Sequence, residues 1–276
     1  MPRPTLIVWL VAFVVATLVA ARAATVTSIE VSGTEFVART SDGRTLRSAD
    51  LVGATIDVTT SDGTLKLRID AVEPDPGSPA IAAKASNAVL LHTFSYRTAE
   101  GEWRNLCDAG PDGRRQGFPI AGRAKAGGGG TIEPAEPGVF ELTCTAGAQG
   151  KCVRLGYHPW DQRPDGSPML PFYNACIRLV RADYSGDGHS TTRDGRLIDI
   201  YDLIGVQSQS NLPGQQFEAG WSPEGAICVR HVRIKENVSL QELERTVPRL
   251  KGRLGDICTE DFARSEGAIL FNRSAP

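Results

Sequence analysis

The residues best suited to do chemistry lie in one loop that is rich in Asp and Gly. Counted from its first Asp, the oxygen-bearing residues follow the spacing of an EF-hand-like calcium loop. They are Asp183 at position 1, Ser185 at 3, Asp187 at 5, Gly188 at 6, the carbonyl of His189 at 7, Thr191 at 9 and Asp194 at 12. Calcium takes about six to eight oxygen ligands, and a tight loop can aim alternate residues inward. Calcium is therefore one hypothesis, and no other cofactor is expected.

Two positions depart from the calcium pattern. Position 12 is Asp194 where the longer, bidentate Glu is typical, and position 8 is Ser190 where an aliphatic anchor is usual. The sequence contains neither C-x-x-C nor H-x-x-x-H, so nothing indicates a transition-metal site.

The same loop also suggests acid–base catalysis. Asp183, Asp187, Asp194 and Asp199 could include a carboxyl pair of the glycosidase kind. His189 lies beside them and is the side chain whose charge changes near neutral pH. No G-x-S-x-G or H-E-x-x-H motif accompanies them. A secreted hydrolase that uses Asp183, Asp187 and His189 is therefore an alternative function.

We favour a structural interpretation of the loop over both alternatives. Asp side chains commonly hold backbone N–H groups in turns, and Gly186 and Gly188 can supply positive φ. Arg181 and Arg193 are candidates to pair with the loop carboxylates inside the fold. On this interpretation the protein is a non-enzymatic structural or binding module.

The segments around the loop predict how it is held. Apolar residues of 173–181 share one face and predict a helix, whereas 196–205 fits a strand or a second helix. Alternation predicts strands at 139–145, 226–235 and 267–272. A short helix is predicted at 240–246, with Ser239 as N-cap and Glu242 three residues later.

The N-terminal region reads as β structure. Alternating runs over about 25–100 are separated by Ser-Gly and Asp-Gly turns, which predict hairpins. The four glycines at 127–130 lie in a segment, 124–138, that we expect to be an exposed, mobile excursion. The predicted class is β-rich α+β, with a small N-terminal β part at 24–90 and a disulfide-stapled α+β domain at 91–276.

The ends and the composition indicate export. Residues 1–23 have a positive start, an apolar run at 6–20 and an A-x-A site, as in a secretory signal peptide. Removing them takes away Arg3 and Arg22, so the net charge moves from −2 to −4. We expect a periplasmic or secreted protein without membrane attachment after cleavage. An acidic chain lacks the basic face that nucleic acids require, and other partners are unknown.

Six cysteines in an exported chain predict up to three disulfides. They are Cys107, Cys144, Cys152, Cys176, Cys228 and Cys258. Fifteen pairings are open. Cys144 and Cys152 are near enough in sequence to form a local bridge.

Several segments resemble the bacterial ADYC-domain family over about residues 90–240. They are LTCTAGAQGKCVRLGYHPW at 142–160, ACIRLVRADYSGDGHSTTRDGRLIDIYD at 175–202 and EAGWSPEGAICVR at 218–230. The motif itself is Arg181, Ala182, Asp183, Tyr184, Ser185, Gly186, Asp187 and Gly188. The resemblance implies export and a cysteine-stapled fold, and it implies no substrate.

One motif position departs from the family. The fourth letter of the family motif is usually Cys, and here it is Ser185. A bridge that relatives make at this position cannot form, so either its partner is missing too or one of the six cysteines is unpaired. A family Cys at this position would be a poor calcium ligand, which argues against a shared metal loop.

Overall fold

The computed structural model describes residues 24–61, 63–77 and 88–276. The predicted signal peptide at 1–23 lies outside the described residues, as does Asp62 in one predicted turn. No helix in the described ranges is both long and apolar enough to span a bilayer.

Two antiparallel sheets occupy the N-terminal half. The first contains β1 (Val26–Ser32), β2 (Glu35–Thr40) and β3 (Thr45–Arg47) in sequence order. The strands of the second are β4 (Thr55–Thr60), β5 (Gly63–Pro74), β6 (Leu90–Arg97), β7 (Trp103–Asn105), β8 (Gly117–Ala121) and β11 (Phe140–Cys144). They are arranged in the order β11-β8-β6-β5-β4, with β7 paired to β6. Thr60 pairs with Gly63, so the hairpin predicted from Asp-Gly is confirmed.

The C-terminal half contains four helices and a third large sheet. The helices are α1 (Ala148–Arg154), α2 (Leu170–Arg181), α3 (Leu240–Thr246) and α4 (Glu260–Ser265). The sheet has the order β12-β15-β13-β14. Its strands are β12 (Ile198–Asp202), β13 (Gln216–Ser222), β14 (Gly225–Val229) and β15 (Leu270–Ser274). A short ribbon pairs β9 (Arg123–Ala124) with β10 (Ile132–Glu133).

Helix α2 packs between the second sheet and the C-terminal sheet in one core cluster. Its apolar residues Phe172, Tyr173, Ile177 and Leu179 are buried, and they belong to a cluster that also takes residues from β6, β8, β13 and β15. Pro171 suits the first turn, where a backbone N–H has no helical partner. The helix predicted at 173–181 is therefore confirmed, and it begins earlier, at Leu170.

The other predicted elements are confirmed with changed bounds. Segment 196–205 forms the strand β12, and α3 begins after Ser239, whose side chain accepts the Glu242 N–H. The strand predicted at 226–235 ends at Val229. Beyond it the chain leaves the sheet, because Arg233 is held in the core by Glu218 and by the carbonyls at the end of α2.

All six cysteines pair. The bridges join Cys107 to Cys144, Cys152 to Cys176 and Cys228 to Cys258. A local bridge between Cys144 and Cys152 is wrong, because Cys144 ends β11 beside Cys107 whereas Cys152 on α1 faces α2. Ser185 therefore leaves no unpaired cysteine behind.

The β-rich α+β class is confirmed by these elements. The boundary placed at residue 90 passes through the second sheet, where β5 pairs with β6. It also passes through a core cluster that joins Phe36 and Leu67 to Phe94. The division of the chain into a part at 24–90 and a domain at 91–276 stays a prediction.

Candidate functional site

Asp183, the first of the two acidic residues of the motif, makes all its contacts within the fold. Its side chain has no exposed surface, and its carboxylate binds the Arg178 guanidinium and accepts the N–H groups of Gly186 and Gly188 at 2.8 and 2.9 Å. Arg178 also donates to the Pro223 carbonyl at 3.1 Å. Because Asp183 has no path to solvent, it fixes the turn and does not face a substrate.

The chain turns back sharply where α2 ends. Ala182 is left-handed at φ 48°, an uncommon state for a residue with a Cβ. The Thr191 hydroxyl donates to the Ala182 carbonyl at 2.6 Å, and the Ser190 hydroxyl donates to the Arg181 carbonyl at 3.0 Å. The loop therefore closes on the helix end from which it started.

Close backbone approaches require glycine in this loop. Gly188 has φ +90°, and a Cβ there would overlap the carbonyl oxygen of Gly127. Gly186 has φ +75°, and a Cβ there would overlap the carbonyl oxygen of Glu224. Gly128 in the four-glycine run is buried. The expectation that 124–138 is wholly exposed is therefore wrong, because part of it packs against the motif.

Tyr184, the aromatic residue of the motif, belongs to a buried polar network. Its hydroxyl donates to Glu218 at 2.9 Å and accepts the Arg233 backbone N–H at 2.8 Å, and its ring stacks on Trp221. Glu218 accepts two bonds from the Arg233 guanidinium at 3.1 and 3.0 Å and one from Asn272 at 2.7 Å. Burial and the neighbouring Glu218 raise the pKa of Tyr184. The tyrosine therefore stays protonated and serves as a structural donor.

The ion pair between Glu218 and Arg233 also contacts the C-terminal end of α2. Burial opposes the charge on Glu218, but the attraction of Arg233 and the hydrogen bonds from Arg233, Ser274 and Tyr184 together outweigh it and lower the pKa of Glu218. Arg233 donates further to the carbonyls of Leu179 and Val180 at 3.0 and 3.2 Å. These carbonyls lie in the last turn, where helical partners are missing. Glu218 on β13 thus holds Arg233, in the segment after β14, against the C-terminal end of α2.

The candidate calcium ligands do not meet at one point. Asp183 binds Arg178, whereas the Asp194 side chain is 92% exposed and pairs with Lys151 at 3.0 Å. Asp187 accepts the His189 N–H at 2.9 Å. No group of three His, Cys, Asp or Glu residues in the described ranges could hold a metal ion.

The candidate catalytic residues are also separated. Asp187 and His189 line a cavity of about 540 Å³ together with Ser185, whereas Asp183 is buried beneath it. Partial burial opposes the charge on Asp187, but bonds from the His189 backbone and the Ser185 hydroxyl outweigh it and lower the pKa of Asp187. Asp199 is buried and accepts backbone N–H groups. Of the predicted acid–base group, only Asp187 and His189 share a cavity.

A larger cavity, of about 760 Å³, adjoins the other side of the motif. Its described lining is strongly cationic: five Arg and one Lys against a single acid, Asp194. The cations are Lys151, Arg154, Arg181, Arg193, Arg196 and Arg233. Apolar side chains complete the lining, namely Leu155, Val180, Leu197, Ile198 and Ile200. A site of this size with apolar walls and a few polar groups is typical of small-molecule binding.

The arginine that pairs with the motif is Arg178, which was not among the arginines predicted to do so. Arg181 and Arg193 are predicted to bind the loop carboxylates, but Arg178 does so, and Arg181 donates to the Gly188 carbonyl at 2.7 Å. Glu218 and Arg233 are missed as well. The sequence does contain one signal for such a pair. Arg178 is a charged residue inside the apolar run ACIRLV, and a charge buried there needs a partner.

A comparison with known protein families identifies the family of the chain. The family model of the ADYC domain matches residues 48–235, more than half of the 276-residue chain. The match begins before the stretch of about 90–240 that carries the resemblance, so it also takes in β4 and β5. No curated protein and no solved structure gave a match. The motif and the whole lining of the larger cavity lie in the matched range, whereas the smaller cavity extends beyond it to Arg249. The chain belongs to the ADYC-domain family.

Proposed function

We propose that the chain is an exported bacterial, non-enzymatic binding module whose motif is a structural brace for a ligand cavity. One observation carries the proposal: the first carboxylate of the motif, on Asp183, and its one phenol hydroxyl, on Tyr184, are both buried and bonded inside the protein. A catalytic acid or phenol must reach its substrate, and neither of these groups does.

The motif connects directly to the larger cavity. Arg181 lines that cavity, and its side chain holds the Gly188 carbonyl while its own carbonyl accepts the Ser190 hydroxyl. The segment that follows the motif, 192–198, supplies one wall. A rigid loop that positions a wall is the arrangement expected of a preformed binding site.

Export is the setting that accounts for the covalent structure. Three disulfides persist in oxidising compartments and are rare in the cytosol. Together with the leader predicted at 1–23, they support a periplasmic or secreted protein.

A hydrolase remains the second candidate because Asp187 and His189 share the smaller cavity. The hydrogen bond between them runs from the His189 backbone N–H to the Asp187 carboxylate, whereas a catalytic dyad bonds the imidazole ring itself.

A ligand screen with a chemical readout tests the proposal. The oxidised protein is unfolded thermally with sugars, amino acids, peptides and organic anions, and each compound that raises Tm is recovered and analysed by mass spectrometry. We expect at least one class to raise Tm and to be recovered unchanged. Conversion of a compound by the protein, lost in both Asp187→Asn and His189→Gln, would establish the hydrolase instead. A screen without any stabilising class would overturn the binding module.

A further inference from the structure

We infer that the larger cavity binds an amphiphilic anion, a soluble molecule with an acidic head and an apolar body, and that Arg193 and Arg196 recognise the head. This inference rests on the proposed binding function and names its ligand class.

The charge around the cavity is only partly balanced. Lys151 pairs with Asp194, Arg154 binds the buried Asp75 at 2.7 Å, and Arg233 pairs with Glu218. These three cations serve the fold.

The other three cations have no carboxylate within ion-pair distance in the described part of the chain. They are Arg181, Arg193 and Arg196. The chain as a whole is acidic, with a net charge of −2, so this local excess is not a general property of its surface. A concave surface with one sign of charge concentrates ions of the opposite sign. The cavity therefore favours an anion.

Two lining residues lack hydrogen-bond partners for buried atoms. Nε of Arg181 and the hydroxyl of Thr192 are both withdrawn from solvent, and neither has a partner among the described residues. Unsatisfied buried donors are uncommon in folded proteins and call for an explanation. Because both atoms lack accessible surface, an acceptor oxygen in the cavity would reach either of them only if its side chain turned towards the cavity.

The walls add an apolar component. Val180, Ile198 and Ile200 are partly buried against the main core, and their remaining surface faces the cavity. Leu197, next to Arg196, is 70% exposed. A large apolar side chain at the rim of a cationic cavity fits a ligand with an apolar body better than it fits a simple inorganic ion.

Two matched fluorescent probes test the assignment. Anilinonaphthalene sulfonate carries a sulfonate on the skeleton of phenylnaphthylamine, which is neutral. Both are titrated into the oxidised full chain, into Arg193→Gln/Arg196→Gln and into Arg39→Gln/Arg245→Gln. The last variant is the charge-matched control, because its two exposed arginines lie outside both cavities.

We expect the sulfonate to bind at least tenfold more tightly than the neutral probe. Arg193→Gln/Arg196→Gln should weaken sulfonate binding about tenfold and change binding of the neutral probe less than twofold, and the control should change neither. Leu197→Ser should weaken both probes. Thermal unfolding and circular dichroism verify that each variant is folded.

Equal affinity for both probes, or sulfonate binding that survives in Arg193→Gln/Arg196→Gln, would overturn the inference. Vesicles of phosphatidylglycerol in phosphatidylcholine supply a further arm: flotation with them that depends on Arg193 and Arg196 would replace the soluble ligand with a lipid surface. If these tests fail while the screen above still finds an unchanged stabilising ligand, the ligand class is wrong and the binding module stands.

Discussion

Arg178 and Asp183 form an ion pair at the C-terminal end of α2, with side chains that are 6% and 0% exposed. The two residues lie five positions apart, across the point where the helix gives way to the left-handed Ala182. The pair therefore joins the last helical turn to the loop that follows it.

Removing one partner of this pair should destabilise the protein strongly. Asp183→Asn leaves the buried Arg178 without a counter-charge, which typically costs about 3–5 kcal/mol. Asp187→Asn is the matched control, since Asp187 is exposed and accepts the His189 backbone N–H rather than a buried guanidinium. Urea unfolding of the oxidised variants measures the difference. Equal stability of the two variants would contradict a structural role for Asp183.

Gly188→Ala should lower the free energy of unfolding far more than Gly195→Ala does. Both residues have positive φ, +90° and +84°, so both alanine variants carry the left-handed strain of about 1–2 kcal/mol. Only Gly188→Ala also meets the Gly127 backbone, whereas nothing lies within 4 Å of a Cβ at Gly195. Overlap of this kind adds about 1–3 kcal/mol. Unfolding midpoints in urea that shift equally in the two variants would show that the four-glycine segment does not pack on the motif.

Stability should fall as the pH drops from 6.5 towards 4. Burial, opposed by hydrogen bonds with the Leu90 and Gly117 backbone, lowers the pKa of His92 from 6.5 to about 4. In this window the unfolded chain binds a proton that the folded chain refuses, so the free energy of unfolding decreases with acidity, by about 2 kcal/mol at pH 5. The loss is complete once the pH passes below the folded pKa.

Comparison with His92→Gln isolates this contribution, because the carboxylates titrate in both proteins. We expect the difference in unfolding free energy between wild type and variant to shrink by that amount between pH 7 and pH 5. A constant difference across this range would show that His92 does not titrate with a lowered pKa.

The cysteines should contain no free thiol in the purified, oxidised protein. Thiol titration after denaturation without reductant should therefore give none, and peptide mapping should recover the three bridges described above. Cys228→Ala/Cys258→Ala opens a separation of 30 residues, which should cost about 3 kcal/mol. A peptide that joins Cys144 to Cys152 would contradict the structure.

Millimolar calcium should leave Tm unchanged relative to chelator. The oxygens of Asp183 already accept from Arg178 and two backbone N–H groups, so the first position of the proposed calcium loop is occupied. An upward shift that Asp187→Ala abolishes would restore the calcium hypothesis, because binding to the native state alone must raise its stability.

Local patterns predicted the local structure well. Period-2 alternation and an Asp-Gly turn place β4 and β5, and the Ser239 and Glu242 pair places the start of α3, since each element is specified by residues near in sequence. The β-rich α+β class follows from these elements together.

Contacts between distant segments could not be predicted in this way. Glu218 meets Arg233 only because the segment after β14 lies beside β13, and Gly127 meets Gly188 only because two loops approach each other. The bridge between Cys152 and Cys176 depends likewise on the packing of two helices. A single sequence does not show which distant residues meet. The larger cavity is lined by segments that are distant in sequence, so it could not be predicted either.

The bridge between Cys152 and Cys176 makes ligand binding depend on whether the thiols have been oxidised. It fastens α1, which carries Lys151 and Arg154, to α2, which carries Val180 and Arg181, and all four residues line the larger cavity. Before the thiols are oxidised, two walls of the cavity are not covalently joined. The protein should therefore acquire its full affinity only after oxidation, so that a copy still in a reducing compartment does not compete there for the same ligand.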